Sequence, residues 1–255
     1  MPERVVVISD THLGYESANT EDLMAFLQND VPRLSPDELV LNGDILDLWR
    51  GGIESVMANH SSFLSKLEEL DSSGVNVRII AGNHDWRWAE SDGQSQFSPP
   101  EPWVVEKRYE FSSGGDQFVI EHGHQYDLAN ANPISNKGLC LTDDKQAGII
   151  SEIYGQTAGT STVLSALGNR EPFIARINFG SLANLSNPDQ LAAQGMRERV
   201  NRIEDRARSK NEPFTIIGHT HVPTNEDGLA NPGSWTLDAN HFVLVDGGDV
   251  SVVEA

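Results

Sequence analysis

The 255-residue chain has one cysteine, Cys140. A single thiol cannot form an internal disulfide and cannot supply a thiolate cluster. Nowhere does an apolar run approach the ~20 residues that a helix needs to cross a bilayer, so no integral membrane association is expected. Internal repeats and low-complexity tracts are absent. Lysine is scarce, at 5 of the 18 basic residues. The hydrophobic share of 38% is ordinary for a globular chain and excludes wholesale disorder. The length suits one large domain, or one domain with a subdomain. The first residues run straight into a strand-like stretch with no signal-peptide pattern. A cytoplasmic protein is therefore the expectation.

What the chain has in excess is negative charge. Thirty-eight acidic residues face 18 basic ones, for a net charge of -20. Such a chain repels itself in dilute salt. Acidic excess with little lysine points to a halophilic protein, working where molar salt shortens the screening length to ~3 Å. An acidic protein of ordinary salt is the alternative. The charge is uneven: residues 125–212 carry ten acidic and ten basic side chains, so the remainder holds the whole excess. Arg197, Arg199, Arg202, Arg206 and Arg208 crowd one short segment. Interleaved with Glu198, Glu204 and Asp205, they read either as a helix laced with ion pairs or as a surface that receives an anion.

The apolar pattern opens as β-α-β-α-β. Strands are expected at 5–8, 39–41 and 77–80, with helices over 20–29 and 54–70 between them. That order is the signature of an α/β fold with a parallel sheet. Two further strands are expected over 103–111 and 118–121. Helical character follows from about 125 to 212, including an amphipathic stripe through Leu191, Met196, Val200, Ile203 and Ala207. Strands return at 214–217, 241–245 and 250–253.

Polar residues collect where the strands stop. The first ends Ser9-Asp10-Thr11-His12, the second Asn42-Gly43-Asp44, the third Gly82-Asn83-His84-Asp85. Later strands end Glu121-His122-Gly123-His124 and Gly218-His219-Thr220-His221. Ligands of open α/β sheets bind beyond the carboxyl ends of strands. In extended chain, residues two apart project together, which would pair Asp10 with His12 and His219 with His221. Asp10, His12, Asp44, Asn83, His122, His219 and His221 are more donors than one tetrahedral ion needs. They suit two divalent ions sharing a carboxylate. Oxygen and imidazole donors without thiolate fit Mn²⁺, Fe or Zn²⁺, and Mn²⁺ is the first choice.

Together, D-x-H, G-D, G-N-H-D, a G-H-bearing block and G-H-T-H, in this order from residue 10 to 221, resemble the calcineurin-like metallophosphoesterase superfamily. The resemblance implies a four-layer α/β/β/α sandwich of two mixed sheets, as a single domain over 1–255. It implies one ion on Asp10, His12 and His221, another on Asn83, His122 and His219, and Asp44 as the bridge. "GDILDLW" and the long segment after the fourth block resemble the UDP-2,3-diacylglucosamine diphosphatases, in which a helical insertion caps the site; here that insertion would span about 125–212. The third position of the fourth block is His124, where that subgroup usually has Asp.

The implied chemistry is hydrolysis of a small phosphorylated molecule. Two ions ~3.5–4 Å apart clamp the phosphoryl group, and a bridging hydroxide attacks phosphorus. His84 would assist the leaving oxygen, and Asp85 would orient the His84 ring through its second nitrogen. His124 and Arg87 are candidate substrate contacts. Asp47 would support the site from behind. A phosphodiester or pyrophosphate is favoured, with a monoester open. A nuclease of the same superfamily is an alternative, but only the arginine cluster offers the basic footprint that nucleic acid requires. A non-catalytic scaffold would be expected to lose ligands that this chain keeps. Oligomeric state is left open.

Overall fold

The computed structural model describes residues 1–48, 53–85, 105–127, 188–210, 213–236 and 240–255. Strands β1 (Arg4–Ile8), β2 (Glu38–Asn42) and β3 (Asn76–Ile80) pair in parallel, with Val6 opposite Leu39 and Leu39 opposite Val77. β1 and β2 are buried almost throughout, which is why they read as unbroken apolar runs and not as alternating ones.

Helix α1 (Thr20–Ala25) widens into a π turn over Phe26–Asp30 and continues as α2 (Val31–Leu34). Pro32 has no amide to donate one turn back, and the ladder loosens ahead of it. The helix expected over 54–70 is two helices, α3 (Ile53–Asn59) and α4 (Ser61–Ser72). His60 interrupts them as the N-cap residue of α4.

The strand expected over 103–111 is also divided. β4 (Val105–Glu106) pairs with β3, whereas β5 (Tyr109–Ser113) pairs with β6 (Asp116–Ile120) in a second sheet. Lys107 and Arg108 carry the chain from one sheet to the other. Helix α5 (Pro188–Ser209) leads to β7 (Phe214–Ile216), β8 (Thr224–Glu226), β9 (Leu229–Asn231), β10 (His241–Asp246) and β11 (Asp249–Glu254).

The first sheet has the order β11-β10-β1-β2-β3-β4 and the second β5-β6-β7-β9-β8. Both mix parallel and antiparallel pairs. Alternate residues of β1 separate two cores: Val5 and Val7 face Phe111, Phe118, Ile120 and Ile216 between the sheets, while Val6 and Ile8 face Leu23, Phe26, Phe63 and Leu67 of the helices. Ile203 and Ala207 of α5 cover the outer face of the second sheet against Tyr126, Ile217 and Leu229. Helices, sheet, sheet and helix therefore form the four expected layers. The end of the helical segment expected over 125–212 thus lies in the outer layer, and residues 128–187 lie outside the described residues.

Candidate metal centre

The carboxyl ends of β1, β2, β3, β6 and β7 open on one edge of the sandwich. Backbone hydrogen bonds tie their loops together. The Asp10 and His12 amides donate to the Gly43 and Asp44 carbonyls at 3.0 and 2.9 Å, and the Gly218 amide donates to the His122 carbonyl at 2.8 Å. Asn42 Nδ2 donates to the Glu121 carbonyl at 3.1 Å and joins the two sheets beneath the centre.

The ligand pairs converge by a different route from the extended-chain expectation. Asp10, His12, Asp44, His219 and His221 all have positive φ, between 47° and 65°. They stand in the left-handed region just past their strands, where Asp and His are tolerated better than bulkier residues. The period of two selects the right residues, but left-handed turns, not strand pleats, aim them. Two glycines make the close approach possible. A Cβ on Gly82 would overlap the Asp44 backbone amide and carboxylate, and one on Gly218 would overlap Ser9 Oγ and stand 2.6 Å from Asp10 Oδ2.

Three overlapping donor groups result among the described residues, the third being His12, Asp44 and His84. In the first, Asp10 Oδ1 and His12 Nε2 each lie 3.1 Å from His221 Nε2, and 3.8 Å from each other. In the second, Asp44 Oδ2 lies 3.3 Å from His122 Nε2, and His219 brings a donor atom within 4.8 Å of both. Donors held ~2.1 Å from one ion stand about 3–3.5 Å apart, so the spacing fits a cation in each of the first two. Asp10 Oδ1 and His122 Nε2 are moreover buried without a hydrogen bond among the described residues, a costly state unless something positive meets them. His122 Nδ1 faces the Asn42 carbonyl at 2.8 Å. A carbonyl only accepts, so in the neutral ring the lone pair is on Nε2, toward Asp44.

Between the first two groups stands His84, half-buried, its ring edge-on to His12 at 4.6 Å between centroids. Its amide donates to Asp44 Oδ1 at 2.7 Å, and its Nε2 lies 3.7 Å from Asp44 Oδ2. Asn83 is buried in the same turn. Asp85 takes another task than the one expected: its carboxylate accepts the Ile45 and Gly82 amides, both at 2.7 Å, and so fastens the β2 loop to the β3 loop. The carboxylate beside the His84 ring is instead Asp47, with Oδ1 3.4 Å from His84 Nδ1 and Oδ2 4.0 Å from His12 Nδ1. His124 is buried with its ring 5.4 Å from His122 and 6.4 Å from His219. Arg87 lies outside the described residues.

Three further contributors have no role assigned from the sequence. Ser9 Oγ donates to the Asn42 carbonyl at 2.7 Å and contacts Asp10 Oδ2. Asn231 Nδ2 donates to the Gly218 carbonyl and to Thr220 Oγ1, both at 2.9 Å, and braces the β7 loop. Asp127 Oδ2 lies 3.0 Å from His219 Nε2. Ser9 opens the first strand-end motif, Asn231 lies ten residues past the last one, and Asp127 carries no spacing signal.

Charge is concentrated accordingly. Burial favours the neutral acid at Asp10 and Asp44, but the surrounding imidazoles win. Asp10 is held down to about 2, chiefly by His221 and His122, and Asp44 well below the usual carboxylate value by His122 and His84. Burial, reinforced by His84, lowers His12 to about 3. Burial also lowers His219, to about 4, against the pull of Asp127. At His122 burial is outweighed by Asp44 and Asp10, which raise it to about 10. Two ionised carboxylates thus draw a cation here, and a divalent ion would compete with the His122 proton.

Five strand ends that gather two cation-sized donor groups around one carboxylate agree with the sequence comparison, in which the family profile described as calcineurin-like phosphoesterase matches residues 3–253. The chain belongs to the calcineurin-like phosphoesterase family. It is therefore a hydrolase of phosphoesters, with the metal-ligand groups that this family carries. No curated protein matches it. Solved structures similar to this calcineurin-like chain are distant. An archaeal phosphodiesterase is 11% identical, with 99% of each chain covered and a TM-score of 0.39. A dimetal phosphatase from Danio rerio is 12% identical, covering 100% of this chain and 96% of its own, with a TM-score of 0.49. A nuclease from Pseudomonas putida is 20% identical over 46% of this chain and 53% of its own, with a TM-score of 0.33.

Proposed function

We propose that this centre binds two divalent cations, Mn²⁺ by preference, and hydrolyses a phosphodiester or pyrophosphate bond of a small phosphorylated molecule. The observation that carries the reading is a run of overlapping donor groups: Asp10, His12 and His221 share His12 with the set His12, Asp44 and His84, which shares Asp44 with His122 and His219. When bound, the cations supply positive charge for the phosphoryl oxygens and make water a nucleophile at neutral pH.

The chain's own residues do the remainder. Asp10, His12 and His221 would hold one ion; Asn83, His122 and His219 the other; Asp44 would face both. With Nδ1 toward Asp47, His84 presents Nε2 to the centre; when both ring nitrogens carry protons, the one on Nε2 is available to the leaving oxygen. A positioned acid contributes ~10²–10⁴-fold in rate. Asp85 and Ser9 keep the loops in register; Asp10, His12, Asp44, Asn83 and His122 are buried, and His221 stands at the open side of the centre.

The preference for a diester or pyrophosphate rests on the resemblance of "GDILDLW" and of the segment about 125–212 to the capped diphosphatases. In this reading the part of the segment before α5 selects the substrate, and His124 contacts it where the subgroup has Asp. The net charge of -20 disfavours nucleic acid as substrate.

The test compares bis(p-nitrophenyl) phosphate with p-nitrophenyl phosphate in Mn²⁺, at low and molar KCl. Faster turnover of the diester is expected. Absence of turnover for both, with two ions bound, would remove the hydrolytic reading, and efficient cleavage of single-stranded DNA would replace the small substrate with a nucleic acid.

A further inference from the structure

We propose that Asp127 and Arg199 form a positioning pair that fixes the His219 ring for the second cation, and so tie that cation's affinity to the seating of α5. The proposal rests on the cation centre described above. It concerns two residues outside all five strand-end motifs.

The geometry is a chain of contacts. His219 Nε2 lies 3.0 Å from Asp127 Oδ2, and both side chains are buried. Arg199 Nε donates to the same Oδ2 at 3.1 Å, and Arg199 Nη2 also contacts it. A carboxylate paired with a guanidinium is an acceptor only. His219 therefore keeps its proton on Nε2, and its lone pair stays on Nδ1, the nitrogen left for the group with Asp44 and His122. A ligating histidine gains its ring orientation and basicity from such an outer carboxylate.

Helix α5 presses on this spot with one face. Arg199, Ile203 and Arg206 are four and three residues apart and point the same way. Arg206 Nη1 donates to the Tyr126 carbonyl at 2.8 Å, and Ile203 packs on Tyr126 and Ile217. Arg202 and Arg208 pair instead with Glu198 and Glu204 on the helix itself, at 3.8 and 3.4 Å. Part of the arginine cluster is thus laced along the helix, and Arg199 pairs with a carboxylate of the chain itself. Asp127 and α5 also flank residues 128–187 along the chain.

The test measures ion binding by calorimetry with Mn²⁺ and by the visible spectrum with Co²⁺. Wild type, Asp127→Asn, Asp127→Ala and Arg199→Gln are compared, each checked for folding by its melting temperature. Asp127→Ala should weaken one of the two ions by about 10–100-fold, leave the other unchanged and shift the spectrum of the weakened ion. Asp127→Asn should lose less, because its amide oxygen still accepts from Nε2–H. Arg199→Gln should weaken the same ion. Equal weakening of both ions, or wild-type affinity for both in Asp127→Ala, overturns the positioning role. An Arg199→Gln that binds as wild type overturns the tie to α5. Should Asp127→Ala fail to fold, the other two variants decide the matter by the same criteria. A wild type that binds two ions but cleaves no phosphoester would sink the proposed activity and leave this inference standing.

Discussion

Gly218→Ala offers the sharpest test of how the centre is built. Gly218 has no positive φ among the described glycines, so alanine meets no backbone strain there, and the effect is purely steric. The new Cβ would overlap Ser9 Oγ, which would have to move by roughly 1 Å. Ser9 is fully buried and pinned by its 2.7 Å bond to the Asn42 carbonyl and its contact with Asp10. Asp10 Oδ2, 2.6 Å from the added atom, is itself held by the His219 amide at 2.9 Å. Displacement therefore passes to a carboxylate of the first donor group. Overpacking of this kind costs about 2 kcal/mol, which is about 4–8 °C in a domain of this size. Affinity for the first ion should fall at least about 10-fold, since supporting changes around metal ligands cost that much. The double variant Ser9→Ala/Gly218→Ala removes the principal overlap and should recover part of both losses. Calorimetry with Mn²⁺ and thermal melts of the four proteins close the cycle. Two ions at wild-type affinity in Gly218→Ala, with an unshifted melt, would show that the loops are not packed as described.

Three further outcomes are expected. His84→Ala should lose about 10²–10⁴-fold in turnover while still binding both ions, as read by single-turnover kinetics beside calorimetry; retained rate would assign the proton to another group. Asp44→Asn keeps the shape of a side chain that faces His122 at 3.3 Å and His84 at 3.7 Å but removes its charge, so both ions should weaken together, by more than the 10–100-fold that loss of a supporting group costs; loss of only one would deny it the bridging place. With a net charge of -20, the melting temperature should rise steeply from dilute buffer to molar KCl as the screening length falls toward ~3 Å, and full stability in dilute buffer would contradict the halophilic reading.

Much of this fold is legible in the sequence because its central strands are buried on both faces. Such strands are plain apolar runs, and their ends are marked by an abrupt change to Asp, Asn and His. The divided strand at 105–113 is not legible, since Val105 and Tyr109 belong to different sheets although neither breaks the apolar pattern. Nor is β8 with β9: Asn231 to Trp235 reads as a rim turn, yet Asn231 braces the His219 loop and the Trp235 amide donates to the Asp10 carbonyl at 3.1 Å. Asp127 escapes for a similar reason, and for Asp47 the sequence suggests support of the site but not its partners. Each acts on a histidine far away in sequence, and only folding makes that adjacency.

The backbone conformation links these points. Five of the residues named as cation ligands occupy left-handed φ values that cost of order 1–3 kcal/mol each in unfavourable cases. That strain survives because neighbouring groups over-determine it. Asp10 and His12 are held through their amides by Gly43 and Asp44, and Asp44 by the His84 amide. The restraints are mutual: each ligand loop is fixed by another ligand loop, not by the sheets alone.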